Sequence, residues 1–227
     1  MSRISIIIPT YNEANNLPLL LADLSILQKE GEIIIIDCGS KDKSKDIANI
    51  YGAKLLKSKD KNRGSQLHIG AKKAEGEWFI FLHADSRLTK DWLKRIKLVM
   101  ENSESFVFYF KFKVNNQNKI YRFLEVLVNL RCFFFKTPYG DQGLLINRKT
   151  YFKNKGYRKI PIMEDLDFIQ RLKNKTNLKS IKFPIYTSSR KWGETNIFIQ
   201  ALRNWKLRRR WLKGGNMQSI YVDYYKK

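Results

Sequence analysis

Residues 4–13, ISIIIPTYNE, decide the fold. Ile4 to Ile8 is a β-branched run closed by Pro9, the pattern of a strand buried on both faces. Asn12 or Asn15 can cap the helix that follows, whose Leu17, Leu20, Leu21, Leu24 and Leu27 fall on one stripe. Strand and helix then alternate. Ile33 to Ile36 predicts a second buried strand, closed by Asp37, Cys38 and Gly39. Ser40 to Ala48 predicts a helix stopped at Gly52, and Ala53 to Leu56 a weaker strand. Gly64 to Ala74 reads as a helix and Trp78 to Leu82 as a fourth strand. This order implies βαβ crossovers and a mainly parallel central sheet flanked by helices.

The second half is less regular. Phe106 to Val114 predicts a strand, Ile120 to Phe135 an apolar helix, and Gly143 to Ile146 a strand after a turn at Pro138 to Gly140. Glu164 to Leu172 and Asn196 to Lys213 read as helices, and residues 215–227 as a polar, tyrosine-containing tail. There is no internal repeat and no low-complexity linker.

A chain of 227 residues suits one domain and buries roughly 70% of its unfolded surface. Its 44 basic and 21 acidic residues give a net charge of +23, which favours nucleic acid, anionic lipid or phosphorylated small molecules without choosing among them. The basic residues are spread along the chain, so bulk composition explains the charge equally well. Cys38 and Cys132 have no metal-ligand spacing and form no disulfide framework, which fits a reducing cytosol. The start of the chain shows no apolar signal core, and no uninterrupted apolar run reaches the roughly 18 residues of a membrane span. The expectation is a soluble or peripheral protein.

In an open parallel sheet, ligands bind beyond the carboxyl ends of the strands. Three such ends are unusual here: Pro9-Thr10-Tyr11-Asn12-Glu13, Asp37-Cys38-Gly39-Ser40 and His83-Ala84-Asp85. No Gly-x-Gly-x-x-Gly follows the first strand and no Walker loop is present, which disfavours a dehydrogenase and a P-loop phosphotransferase.

With these motifs the chain resembles the inverting glycosyltransferases of family 2 over nearly its full length. Residues 5–13 resemble the family's opening and residues 35–42 its second-strand signature. Arg63-Gly64, Gly76-Glu77-Trp78 and His83-Ala84-Asp85 continue it in order. Gly140-Asp141-Gln142-Gly143 and Glu164-Asp165 resemble its acceptor-side and catalytic signatures. Each piece is weak alone; their order and spacing make the signal. The resemblance implies a GT-A fold in one domain, with residues 1–100 as a nucleotide-sugar-binding half. Residues 101–195 become an acceptor and catalytic half, and 196–227 a basic helix and tail. It is most similar to small bacterial single-domain transferases.

The resemblance implies site residues, each with a plain alternative. Donor contacts fall on Pro9, Tyr11, Glu13, Asp37, Arg63, His83 and Asp85. Asp85, the second aspartate of the family's Asp-x-Asp, is the implied ligand of Mg²⁺ or Mn²⁺, which neutralises a diphosphate leaving group; the alternative is a cap for the next helix. His83 stands in place of the first aspartate. Asp37 is placed for a base or ribose, or is a turn residue, and Cys38 replaces the family's second aspartate there. Arg63, at a helix start, suits a diphosphate; otherwise it is a solvated loop residue. Asp165 is the implied general base supported by Glu164; alternatively Glu164, Asp165 and Asp167 only oppose the helix dipole. Asp141 and Gln142 are acceptor-side residues by resemblance.

The last helix is basic and amphipathic, with Phe198, Leu202, Trp205 and Leu212 near one face and Arg203, Lys206, Arg208, Arg209, Arg210 and Lys213 on the rest. It fits an anionic membrane surface or a diphosphate, or is an ordinary packing helix with a solvated basic face. Together with the aromatic stretch Phe123 to Phe135 it favours a lipid or carotenoid-like acceptor. The expected place is the cytoplasm, peripheral on the inner face of the cell membrane. Two other functions stay open: a nucleotidyltransferase on a related sheet, and a basic nucleic-acid-binding module. The second lacks the usual nucleic-acid motifs.

Overall fold

The structure is a computed structural model. It describes residues 3–101, 105–189 and 197–226, apart from the side chains of Gln28, Lys29, Ile197 and Phe198. The strands are β1 (Ile4–Thr10), β2 (Gly31–Asp37), β3 (Lys54–Lys57), β4 (Trp78–Phe81), β5 (Ser86–Leu88), β6 (Phe106–Asn115), β7 (Leu144–Asn147) and β8 (Asn177–Ser188). The helices are α1 (Leu17–Leu24), α2 (Ser44–Ile50), α3 (Arg63–Lys73), α4 (Trp92–Met100), α5 (Lys119–Phe135), α6 (Arg148–Lys153), α7 (Glu164–Lys173), α8 (Ile197–Leu212) and α9 (Met217–Tyr225). One sheet holds all these strands in the order β3-β2-β1-β4-β7-β6-β8-β5.

The alternation of side chains explains the layers. Ile4, Ile6 and Ile8 face a core with α1, Trp78, Ile80 and Trp92. Ile7, Ile34, Ile36, Phe79 and Phe81 face the opposite core, with Leu67 and Ala71 of α3 and Phe168 and Leu172 of α7. A strand with both faces covered needs apolar residues at every position, as ISIII nearly has.

Pairings among β1 to β4 are parallel, as expected. β7 enters antiparallel to β4 and β6, and β5 antiparallel to β8, while β6 and β8 run parallel. β1 runs two residues past the expected end at Ile8. The reason is geometric: Ile7 O accepts from Leu82 N and Thr10 O from Cys38 N. Position 9 therefore faces β4, whose pairing stops at Ile7, and the N–H that proline lacks would have had no partner there.

Several elements were not anticipated. β5 and α4 follow Asp85 directly. β8 escapes a period-2 reading because Pro184 and the positive φ of Lys182 interrupt it. The expected tail at 215–227 is corrected: residues 217–225 form α9. Asn216 caps it by accepting from Ser219 N, and Ile220 is fully buried against Met163, Leu166 and Leu207. The start expected for α8, Asn196, lies outside the described residues.

The apolar helix α5 covers β6 beyond the end of β7. Asn129 Oδ1 accepts from Phe112 N at 3.0 Å and Glu125 Oε1 from Val114 N at 2.8 Å, so side chains stand in for a missing strand. Among the described residues no helix is long and apolar enough to cross a membrane.

Candidate active site

The loops after β1 and β2 are knitted together. Asn12 N donates to Ser40 Oγ at 2.9 Å, Glu13 N to Ser44 Oγ at 2.8 Å, and Ala14 N to Asp42 Oδ2 at 2.9 Å. Gln66 of α3 is buried and gives its amide to the carbonyls of Thr10 and Ile36, which ties α3 to the two strand ends. Glu13 accepts from Asn16 Nδ2 at 2.7 Å, at the start of α1. Pro9 lies inside β1, one residue before its end at Thr10, and Tyr11 follows with its ring under Lys61 Nζ at 3.5 Å from the centroid.

Asp37 closes β2. Its Oδ1 accepts from Gly39 N at 2.9 Å and Ser40 N at 3.0 Å, and its Oδ2 is buried with no hydrogen-bond partner among the described residues. A buried, unfilled acceptor in a rigid loop suits a hydroxyl or N–H of a bound molecule.

Asp85 is 7% exposed and sits between β4 and β5. The next element is a strand, and Asp91 occupies the N-cap position of α4, so Asp85 caps no helix. Among the described residues no group of three or more His, Cys, Asp or Glu side chains could hold a metal by itself. A hard cation bound by one carboxylate, substrate phosphates and water fits such a site.

Arg63 opens α3, where Asn62 Oδ1 accepts from Ser65 N at 2.9 Å. Its Nε donates to Glu164 Oε1, joining the starts of α3 and α7. Burial opposes the charge on Arg63, but Glu164 and Asp165 outweigh it and raise its pKa. Gly64 makes this junction possible, since a Cβ there would lie 2.2 Å from Arg158 O and 3.1 Å from Glu164 Cβ.

The acids at the start of α7 divide their work. Glu164 is buried on Arg63, and Asp167 bonds to Arg171 at 2.8 Å. Asp165 is half-buried, takes Leu166 N at 2.7 Å and Gly140 N at 2.9 Å, and reaches a cavity. Met163, just before them, has φ 64°, uncommon for a residue with a side chain, and its burial against Leu207 and Ile220 holds it there.

That cavity brings together His83, Tyr139, Gly140, Glu164 and Asp165, with Phe81, Leu144 and Tyr157 as its apolar wall. Gly140 is the closest point: a Cβ there would lie 2.6 Å from His83 Nε2 and 3.4 Å from Asp165 Oδ2. Asp141 follows in the same turn. Gln142 is fully buried; its Oε1 accepts from Cys132 Sγ at 3.0 Å and Arg131 Nη2 at 3.3 Å, so it pins the turn to α5. Sequence reasoning missed Gln66, Tyr139, Tyr157 and Arg131, and read Arg208 only as one of the basic residues of the last helix. Tyr139 had a signal, lying inside the Pro138 to Gly140 turn; the others are placed only by packing.

Superposition puts this sheet in the GT-A class. TarS of S. aureus, residues 1–349, matches with TM-score 0.69 at 20% identity, over 82% of this chain and 60% of that one. Glucosyl-3-phosphoglycerate synthase from Mycobacterium tuberculosis, solved with Mn²⁺, UDP and glucosyl-3-phosphoglycerate, matches with TM-score 0.57 at 15% identity, over 80% and 71% of the two chains. Residues 5–163 match the profile of Glycosyl transferase family 2, and the chain belongs to that family. The undecaprenyl-phosphate 4-deoxy-4-formamido-L-arabinose transferase of Photorhabdus laumondii subsp. laumondii is 25% identical over 219 residues, 90% of this chain and 66% of that protein. An uncharacterised glycosyltransferase of Rickettsia typhi is 41% identical over 85 residues, 36% of this chain and 27% of the other. The chain thus spans no more than about two thirds of these two relatives.

Proposed function

We propose that the chain is an inverting glycosyltransferase that moves a sugar from a nucleotide-sugar to an acceptor hydroxyl or carboxyl group, with Asp165 as general base. The observation that carries this is the cavity where Asp165 meets His83 and Gly140, beside an arginine held by Glu164. TarS, of the same fold, has been solved with UDP-GlcNAc.

In this reading Asp37 Oδ2 receives a hydrogen bond from the base or ribose. The Nη groups of Arg63, which take no hydrogen-bond partner among the described residues, bind the diphosphate. Asp85 would hold Mg²⁺ or Mn²⁺, which when bound neutralises charge on the leaving diphosphate. His83 faces the donor sugar. Asp165 takes the proton of the acceptor hydroxyl as its oxygen bonds to the anomeric carbon. The bond from that carbon to the diphosphate breaks, and its electron pair leaves with the nucleoside diphosphate. A carboxylate acceptor would attack without that proton transfer.

A lipid-like acceptor and a peripheral place on the inner face of the cell membrane extend the proposal. They are supported by the outer face of α5, where Val126, Leu127, Leu130, Phe133 and Phe134 are all exposed. On α8, exposed Leu202, Trp205 and Leu212 stand among Lys206, Arg209 and Arg210. Such paired basic and apolar faces bind anionic bilayers. The undecaprenyl-phosphate transferase relative points the same way.

Asp165→Asn tests the central claim. Its single-turnover rate should fall about 10²–10⁴-fold while donor affinity and melting temperature stay near those of the parent. A near-native rate would rule the assignment out.

A further inference from the structure

Tyr139 carries two guanidinium groups. That of Arg131, from α5, lies 3.8 Å from its ring centroid, and that of Arg208, from α8, lies 4.6 Å away. Neither arginine has a carboxylate within ion-pair distance among the described residues. Arg131 gives Nη2 to Gln142 Oε1 at 3.3 Å, and its Nε is buried with no hydrogen-bond partner among the described residues. Arg208 makes no hydrogen bond among the described residues. Burial lowers its pKa; Tyr139 opposes that, the charge of Arg131 adds to it, and Asp141 and Asp165 act weakly the other way.

Two like charges held on one ring repel each other, and the attraction of each for the ring does not remove that repulsion. An anion that reaches both offsets it. Stacking suits this use for Arg208, whose planar N–H fork makes no hydrogen bond among the described residues and can take phosphate oxygens in pairs; Arg131, with Nη2 on Gln142 and Cys132 and Nε buried, offers Nη1. The position decides whose anion it is. Arg63 stands on the Glu164 side of the catalytic pair, whereas Tyr139 lies next to Gly140, whose N–H binds Asp165. A base must face its acceptor.

We propose that Arg131 and Arg208, held on Tyr139, form a binding site for a phosphate carried by the acceptor. The placement rests on the glycosyltransferase reading above; the anion site itself does not. The substrate class is then a phosphorylated molecule whose reacting group lies within reach of Asp165.

The test is a calorimetric titration of the full chain with inorganic phosphate, alone and with UDP and Mn²⁺ saturating. The expected result is binding that survives UDP and weakens about tenfold in Arg131→Gln and in Arg208→Gln. Arg208→Lys, which keeps the charge and loses the fork, should weaken phosphate several-fold at an unchanged melting temperature, even if a glutamine variant folds poorly. The proposal is overturned if phosphate binds all variants as it binds the parent, or if UDP displaces it, which would give the arginines to the donor. Failure of UDP to bind counts against a uridine donor only. The titration without UDP then decides, and phosphate must still depend on both arginines.

Discussion

Arginines border Asp165 on two sides, and they are held by different chemistry. Arg63 is tied to the buried carboxylate of Glu164, whereas Arg131 and Arg208 lean on the ring of Tyr139. An ion pair fixes position and cancels charge. A ring fixes position and leaves most of the charge in place. The first arrangement joins two helix starts into a scaffold; the second keeps positive charge available beside Asp165.

Breaking the first side should cost most. Glu164→Gln leaves Arg63 without its partner, and because that side chain is 41% exposed, water recovers part of the loss. We expect about 2 kcal/mol of destabilisation by denaturant titration, with weaker donor binding as Arg63 moves. A change confined to turnover would mean the pair is not structural.

The junction between the two sides is Gly140. Gly140→Ala would push His83 away from Asp165, and the single-turnover rate should drop about tenfold, equivalent to roughly 1.4 kcal/mol, with stability little changed. An unaltered rate would show that the close approach of His83 to this turn has no catalytic use.

The outer face of α5 sharpens the contrast, since only the Tyr139 side is bordered by this open apolar helix. Phe134 is 69% exposed and packs edge-on against Phe133, with ring centroids 5.2 Å apart. Phe134→Ser should reduce binding to anionic vesicles about fivefold, near 1 kcal/mol, without shifting the melting temperature. Equal partitioning of both proteins would remove α5 from any membrane contact.

The sequence by itself determined the first half of the sheet. ISIIIPTYNE, the second isoleucine run and Trp78 to Leu82 are local patterns, and a strand buried on both faces has no other composition open to it. Glu164-Asp165 was marked by the family resemblance rather than by a local pattern, since acids at a helix start are common for other reasons. Only the tertiary structure decided the rest. Whether an acid is a base or a tether depends on its partner, and Glu164 and Asp165 parted only when Arg63 arrived from 101 residues away. Arg131, Tyr139 and Arg208 belong to three separate elements, and nothing in their spacing announces a shared ring. α9 was hidden for a related reason: its one fully buried side chain, Ile220, is buried only once Met163 and Leu207 are there to meet it. Periodicity reports what a segment does alone or against a sheet. Contacts between distant short segments carry no period, and they are set by packing.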